Sequence, residues 1–222
     1  MGKGESPNVF HGTHADYKKL FYSDPMQALR MPVTLQAGYG VLPLGMVMAK
    51  NGSAAGNKNK LIPYNPTAVT GEEDAPGRAY LVQDSGAGAT LLYTTIEDSY
   101  KFAVGDDLMI DDDTTTAENL GAITAIDRTT YTNRAKITVT TATGGTSFTA
   151  ARFAYVYCEG ADTAVGILDA ARDTGEGEDC VGAMGSVILA HAIMYTGMLV
   201  NLDAAAKVEL ATAEWGQYTY LK

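Results

Sequence analysis

The sequence predicts a mainly β protein: a β-rich α+β base, a small β-barrel or sandwich inserted into it, and one short C-terminal helix. Three observations carry that prediction. Between residues 80 and 157, Thr-rich and β-branched runs (ATLLYTTI, LGAITAIDR, RAKITVTTAT) recur between breaks at GAG, VGDD, DDDTTTAEN and TGGTS, the spacing of short strands and turns. Later, Gly166, Gly182, Gly185 and Gly197 interrupt apolar runs, which favours strands with bulges and tight turns over long helices. Asp203 then precedes AAAKVELATAEW, a run of strong helix formers with a capping residue in front.

The elements follow in chain order. Residues 1–40 read as an extended arm, because Gly2, Gly4, Pro7, Gly12, Pro25, Pro32, Gly38 and Gly40 interrupt any regular period. The arm still carries Phe10, Tyr17, Leu20, Phe21 and Tyr22, too apolar for an idle tail and suited to anchor it on a partner. Residues 41–79 and 158–222 form the base, and 80–157 the inserted β domain. In the first base segment, Leu44–Ala49 and Lys60–Tyr64 read as strands joined by a Gly/Asn/Ser loop; residues 67–79 read as a loop.

Composition excludes several function classes. The formal net charge is −10, and the sixteen basic residues are scattered, so the clustered cations that bind nucleic acid are missing. No apolar core follows the first lysine, and the run Val187–Met194 is far short of the roughly 20 residues that span a bilayer; no membrane partner is expected, and the chain reads as soluble and made in the cytosol. Cys158 and Cys180 lack CxxC spacing and read as free, buried thiols, one bridge between them remaining open.

The stretch VGDDLMIDDD, residues 104–113, is the strongest chemical suspect. Strand alternation points Leu108 and Ile110 one way and Met109 the other, leaving the aspartates as turn residues at the two ends of a hairpin strand. A calcium loop needs spaced oxygens, an internal glycine and a terminal Glu, none of which this order supplies. The expectation is a solvated hairpin end with no metal and no catalytic role. His11 and His14 have no further ligands nearby in sequence. His191 interrupts an apolar run and reads as a half-buried strand residue. DTG at 173–175 lacks the hydrophobic lead-in of an aspartic-protease loop. No nucleophile motif or phosphate loop occurs. The chain is expected not to be an enzyme and to need no cofactor.

Taken in order, LGMVMAKNG…KLIPYNP, ADTAVGILDAARDTG, GAMGSVILAHAIMYTGMLV and DAAAKVELATAEWGQYTYLK resemble the head decoration proteins of tailed bacteriophages, the lambda gpD-like family. They cover roughly residues 40–70 and 160–222. The departure lies between them, where about eighty residues intervene, as a domain inserted in a surface loop would. The resemblance implies a capsid cement protein on the virion exterior, a homotrimer whose partner is the major capsid protein. A second expectation is a virion-surface binding module for host glycans carried by the insert. Of its tyrosines, Tyr93, Tyr100, Tyr131, Tyr155 and Tyr157, the alternation with Val, Ile and Ala reads as core.

Overall fold

The computed structural model describes residue 20 and residues 28–66, 75–114, 116–212 and 217–221. The chain is mainly β, as its sequence predicts, with a closed five-stranded barrel, a curled sheet and a short helix near the C-terminus.

The barrel takes its strands from both sides of the central segment. They are β1 (Leu29–Leu35), β3 (Val47–Lys50), β4 (Leu61–Pro63), β11 (Ala164–Leu168) and β13 (Ala183–Tyr195). Their order is β1-β4-β3-β11-β13, and β1 pairing with β13 closes the ring. Closure removes most of the edge along which sheets aggregate. The strand β14 (Gln217–Leu221) adds to β13 in parallel. Before it lies α2 (Ala204–Thr212), capped by Asp203, whose Oδ1 accepts the Ala206 amide at 2.7 Å.

The curled sheet is built from β5 (Ala79–Tyr80), β6 (Leu91–Thr94), β7 (Asp107–Asp111), β8 (Glu118–Asp127), β9 (Ala135–Val139) and β10 (Tyr155–Cys158), in the order β5-β10-β7-β8-β9-β6. A bridge between Leu81 and Thr94 ties its two ends together. Alternation decides its inner face: Leu108 and Ile110 are buried in β7, and Ala135, Ile137 and Val139 in β9. Each large aliphatic side chain so buried contributes about 1.5–3 kcal/mol. All four residues of β10 are buried, since that strand is paired on both sides by β5 and β7.

The expectation of an extended arm over residues 1–40 does not hold for Leu29–Leu35 or for Leu20. Residues 29–35 form the strand that closes the barrel, and Leu20 is fully buried in the core. Pro32 does not break the strand, for a geometric reason. The Gln36 amide bonds the Leu61 carbonyl, so alternation aims the Pro32 backbone nitrogen toward that same side. There β1 meets β4 only at Leu35. A proline costs no ladder bond on an open edge, and it blunts that edge against strand addition.

Candidate functional site

The acidic stretch divides into two structural roles. Asp106 is fully buried rather than solvated. Its Oδ1 accepts the Asn57 amide at 2.8 Å, and its Oδ2 accepts Asn57 Nδ2 at 2.9 Å and the Ala103 amide at 2.8 Å. Gln36 Nε2 and Asn51 Nδ2 add longer contacts at 3.4 Å. Beside it, Asp107 Oδ2 accepts the Ala54 amide at 2.9 Å, while the Asp107 amide donates to Ser53 Oγ at 2.7 Å. The loop after β3 is therefore stapled to the start of β7, and the barrel to the curled sheet. Gly38, at φ +89°, completes this seam: a Cβ there would collide with the Tyr100 carbonyl.

The expectation of a solvated hairpin end fails at Asp106 because the Asn57 amide and the side-chain amides of Asn57, Gln36 and Asn51, all far away in sequence, replace water around the carboxylate together with the nearby Ala103 amide. It fails at Asp112 as well, which is buried. Turn chemistry does hold at the second end. Asp111 Oδ1 accepts the amides of Asp112 and Asp113, and Asp112 Oδ1 accepts the Thr114 amide and hydroxyl.

Asp113 reaches further, pairing with the buried Arg78 at 2.9 Å. Arg78 Nε also donates to Asn65 Oδ1 at 2.7 Å, and its guanidinium lies 3.8 Å from the centre of the Tyr155 ring. The Tyr155 hydroxyl donates to Asp113 Oδ1 at 2.8 Å. Burial is the main cause raising the Tyr155 phenol well above its usual range, against the opposing effect of Arg78. Tyr157 is raised in the same way, again chiefly by burial. This cluster has a buried cation, a phenol and carboxylates, each already engaged by a neighbour.

Among the described residues no group of three or more His, Cys, Asp or Glu is placed to hold a metal ion. Both cysteines are free: Cys158 is buried, and Cys180 is half-buried rather than buried. Burial, then the nearby Asp106, pushes the Cys158 thiol well above its ordinary value. Of the arm residues, Leu20 occupies the chain's own core and is not presented to a partner. Phe10, Tyr17, Phe21 and Tyr22 lie outside the described residues, as do His11 and His14. His191 falls within β13, and its side chain lies outside what the structure describes.

The feature suited to a partner is a face that sequence reading missed. The short ribbon of β2 (Val41–Leu42) and β12 (Arg172–Asp173) sits beside the start of β13. Here Val41, Val181 and Met184 are 66%, 63% and 68% exposed, above most other large apolar side chains of the molecule. One short segment links them: Asp173 pairs with Val41, the Thr174 carbonyl accepts the Val181 amide, and Arg172 Nε donates to the Met184 carbonyl. Glycines and isolated valines around residues 175–184 gave no periodic signal of this face, because it is assembled from a turn and a two-residue ribbon.

In comparisons with known proteins, no family model, curated protein or solved structure matches the chain.

Proposed function

We propose that the chain is a structural capsid decoration protein, which binds the outside of an expanded phage head and stabilises it against internal DNA pressure. The observation that carries this reading is three strongly exposed apolar side chains, Val41, Val181 and Met184, linked through residues 172–174 at one place on a closed barrel. Exposed apolar side chains grouped this way mark protein contact surfaces. Support also comes from where the resembling segments fall. LGMVMAKNG and KLIPYNP supply β3 and β4, AVGIL supplies β11 beside β3, and GSVILAHAIMY supplies β13 beside β11. They are consecutive neighbours in one barrel.

The partner in this reading is the major capsid protein, and the assembly a homotrimer on the virion exterior. Phe10, Tyr17, Phe21 and Tyr22 act as further anchors of the N-terminal segment. Several modest contacts per trimer raise avidity by about 10²–10⁴ where geometry permits. A protein that binds only the expanded lattice stabilises it by about 2.7 kcal/mol per site at one hundred times its dissociation constant. The reading requires no catalysis, cofactor, nucleic acid or membrane.

The test is a sedimentation binding assay with parent-phage heads lacking this protein, in compact and expanded forms, followed by electron cryomicroscopy. Saturable binding to expanded heads alone is expected, with density at local three-fold positions. Met184→Asp is expected to weaken it about tenfold, as loss of an interface anchor does. Absence of binding to either form overturns the reading.

A further inference from the structure

The loop that follows the ribbon is acidic, and no neighbouring cation answers its charge. Asp173, Glu176, Glu178 and Asp179 are all exposed, and no Lys or Arg stands among residues 173–181. Among the described residues none of these carboxylates forms an ion pair. Arg172, the nearest cation in sequence, donates instead to the carbonyls of Met184 and Ala171.

The fold holds these charges beside the exposed apolar side chains. The Val181 amide donates to the Thr174 carbonyl at 3.0 Å and closes the loop at its neck. The Thr174 amide donates to the Gly40 carbonyl at 2.8 Å, and the Gly40 amide to the Gly175 carbonyl at 3.1 Å, which ties the loop to the residue before Val41. Glu176 lies over that same residue, since a Cβ at Gly40 would collide with its Oε1. Asp173 pairs with Val41 across the ribbon, and its Oδ1 accepts the Gly175 amide at 2.8 Å. Glu178 and Asp179 stand on the short turn Gly177–Asp179, just before Val181. That turn packs beside the helix α1 (Ile96–Ser99). There the exposed Glu97 joins Glu176 and Glu178 around a hollow of about 440 Å³. Val41, Val181 and Met184 therefore sit at the margin of one acidic field.

We infer that the surface covering this face is cationic: an apolar recess of a partner protein, bordered by Lys and Arg side chains that meet Glu176, Glu178 and Asp179. The inference rests on the capsid reading and names the chemistry that the capsid protein presents. Apolar side chains gain by leaving water. A neutral or acidic partner brought against them would set the carboxylates beside desolvated surface or like charge, which costs affinity. A basic rim turns the same field into attraction and speeds encounter. A second copy of the chain does not supply that rim, because its sixteen basic residues are scattered. A two-fold contact through this face would also set the carboxylates against themselves.

The test is sedimentation of the full chain with expanded parent-phage heads lacking this protein, at about 0.1 and 1 M sodium chloride, where the screening length falls from about 10 Å to about 3 Å. Binding is expected to weaken about tenfold at the higher salt. Glu176→Gln, Glu178→Gln and Asp179→Asn combined should weaken it about tenfold at the lower salt, about twofold to threefold per charge, and remove most of the salt dependence. Asp173 stays in place because it shapes the turn. Asp162→Asn, exposed at the opposite end of β11, should change neither quantity, and circular dichroism checks that each variant is folded. Binding that the triple variant leaves unchanged or tightens overturns the inference and leaves the capsid reading standing. No binding at either salt overturns that reading and the inference with it. Self-association in sedimentation velocity that Met184→Asp abolishes puts a second copy on this face and overturns the inference alone.

Discussion

Asp106 at the lobe seam and Asp127 on the outer turn perform the same local chemistry with opposite structural consequences. Each carboxylate gathers backbone amides. Asp106 is fully buried, and among its donors Asn57 lies 49 residues away and Gln36 lies 70 residues away. Asp127 accepts from Thr129 and Thr130, within three residues of itself, at the surface. A long-range buried acceptor joins parts of the fold that lie far apart in the chain. A short-range exposed one shapes only its own turn, and water stands ready to replace it. Burial and sequence separation, more than the number of bonds, therefore decide what an aspartate is worth.

Replacing Asp106 is the harshest way to test that contrast. Asp106→Ala leaves the Asn57 and Ala103 amides, and the side-chain amides of Asn57 and Gln36, facing a buried gap. Unsatisfied buried donors cost about 1–3 kcal/mol each when water cannot reach them. A total loss of roughly 3–5 kcal/mol is expected in urea unfolding. A loss below about 1 kcal/mol would mean that the lobes hold together without this staple.

Arg78 sharpens the comparison from the cationic side. It is buried, yet its partner Asp113 is 39% exposed, so the pair lies between the two extremes. Arg78→Lys keeps the charge but cannot reproduce the fork to Asn65 and Asp113 or the planar contact with Tyr155. The expected loss is about 2 kcal/mol by urea unfolding, and Asp113→Ala should cost less because one partner is already solvated.

These contrasts also mark where the sequence was legible. Side-chain alternation placed Leu108 and Ile110 inward and Met109 outward from five consecutive letters, and Asp203 announced its helix through a cap three residues from the amide it serves. Local rules suffice for such elements. Asp106 defeated them because nothing in VGDD encodes Asn57 or Gln36. Pro32 misled in the same way: its tolerance depends on β4 diverging from β1, which is a property of the barrel and not of the strand. The ribbon face was missed because it joins residues from separated segments. Tyr155 and Tyr93 both stand in β-branched runs, and only the sheet order tells that one is central and the other at an edge.

The buried phenols extend the comparison to alkaline pH. Burial raises Tyr39, Tyr64, Tyr155 and Tyr157 above the ordinary phenol range, and also the Cys158 thiol. A folded-state value above the unfolded one means that the unfolded chain loses its protons first. The associated stability is complete below the unfolded values, about 8.5 for Cys and 10 for Tyr, and falls as pH rises beyond them. The melting temperature should therefore decline steadily above about pH 9, with these tyrosines ionising only as the chain unfolds. Absorbance at about 295 nm, which follows tyrosinate formation, checks this: ionisation of all thirteen tyrosines before any loss of structure would contradict the burial assigned to them.

Asp127 closes the comparison with the smallest effect and the opposite sign of pH dependence. Hydrogen bonds from Thr130, chiefly through its side chain, and from the Thr129 amide hold its carboxyl below the usual carboxylate range. A depressed folded value gives stability that is present above the unfolded value near 4 and is lost as pH falls through the folded one. Asp127→Ala should therefore lower the melting temperature slightly at neutral pH, by less than Arg78→Lys does, and the gap to wild type should narrow progressively below about pH 4. The position of Asp127 at the surface limits the effect, because the freed amides of Thr129 and Thr130 recover water. What the substitution does disturb is the placement of Tyr131, whose turn these bonds define. A variant that keeps nearly all of its stability but loses the edge-to-face contact between the Tyr93 and Tyr131 rings, seen as altered ring resonances by NMR, would separate the turn's role in positioning from any role in folding.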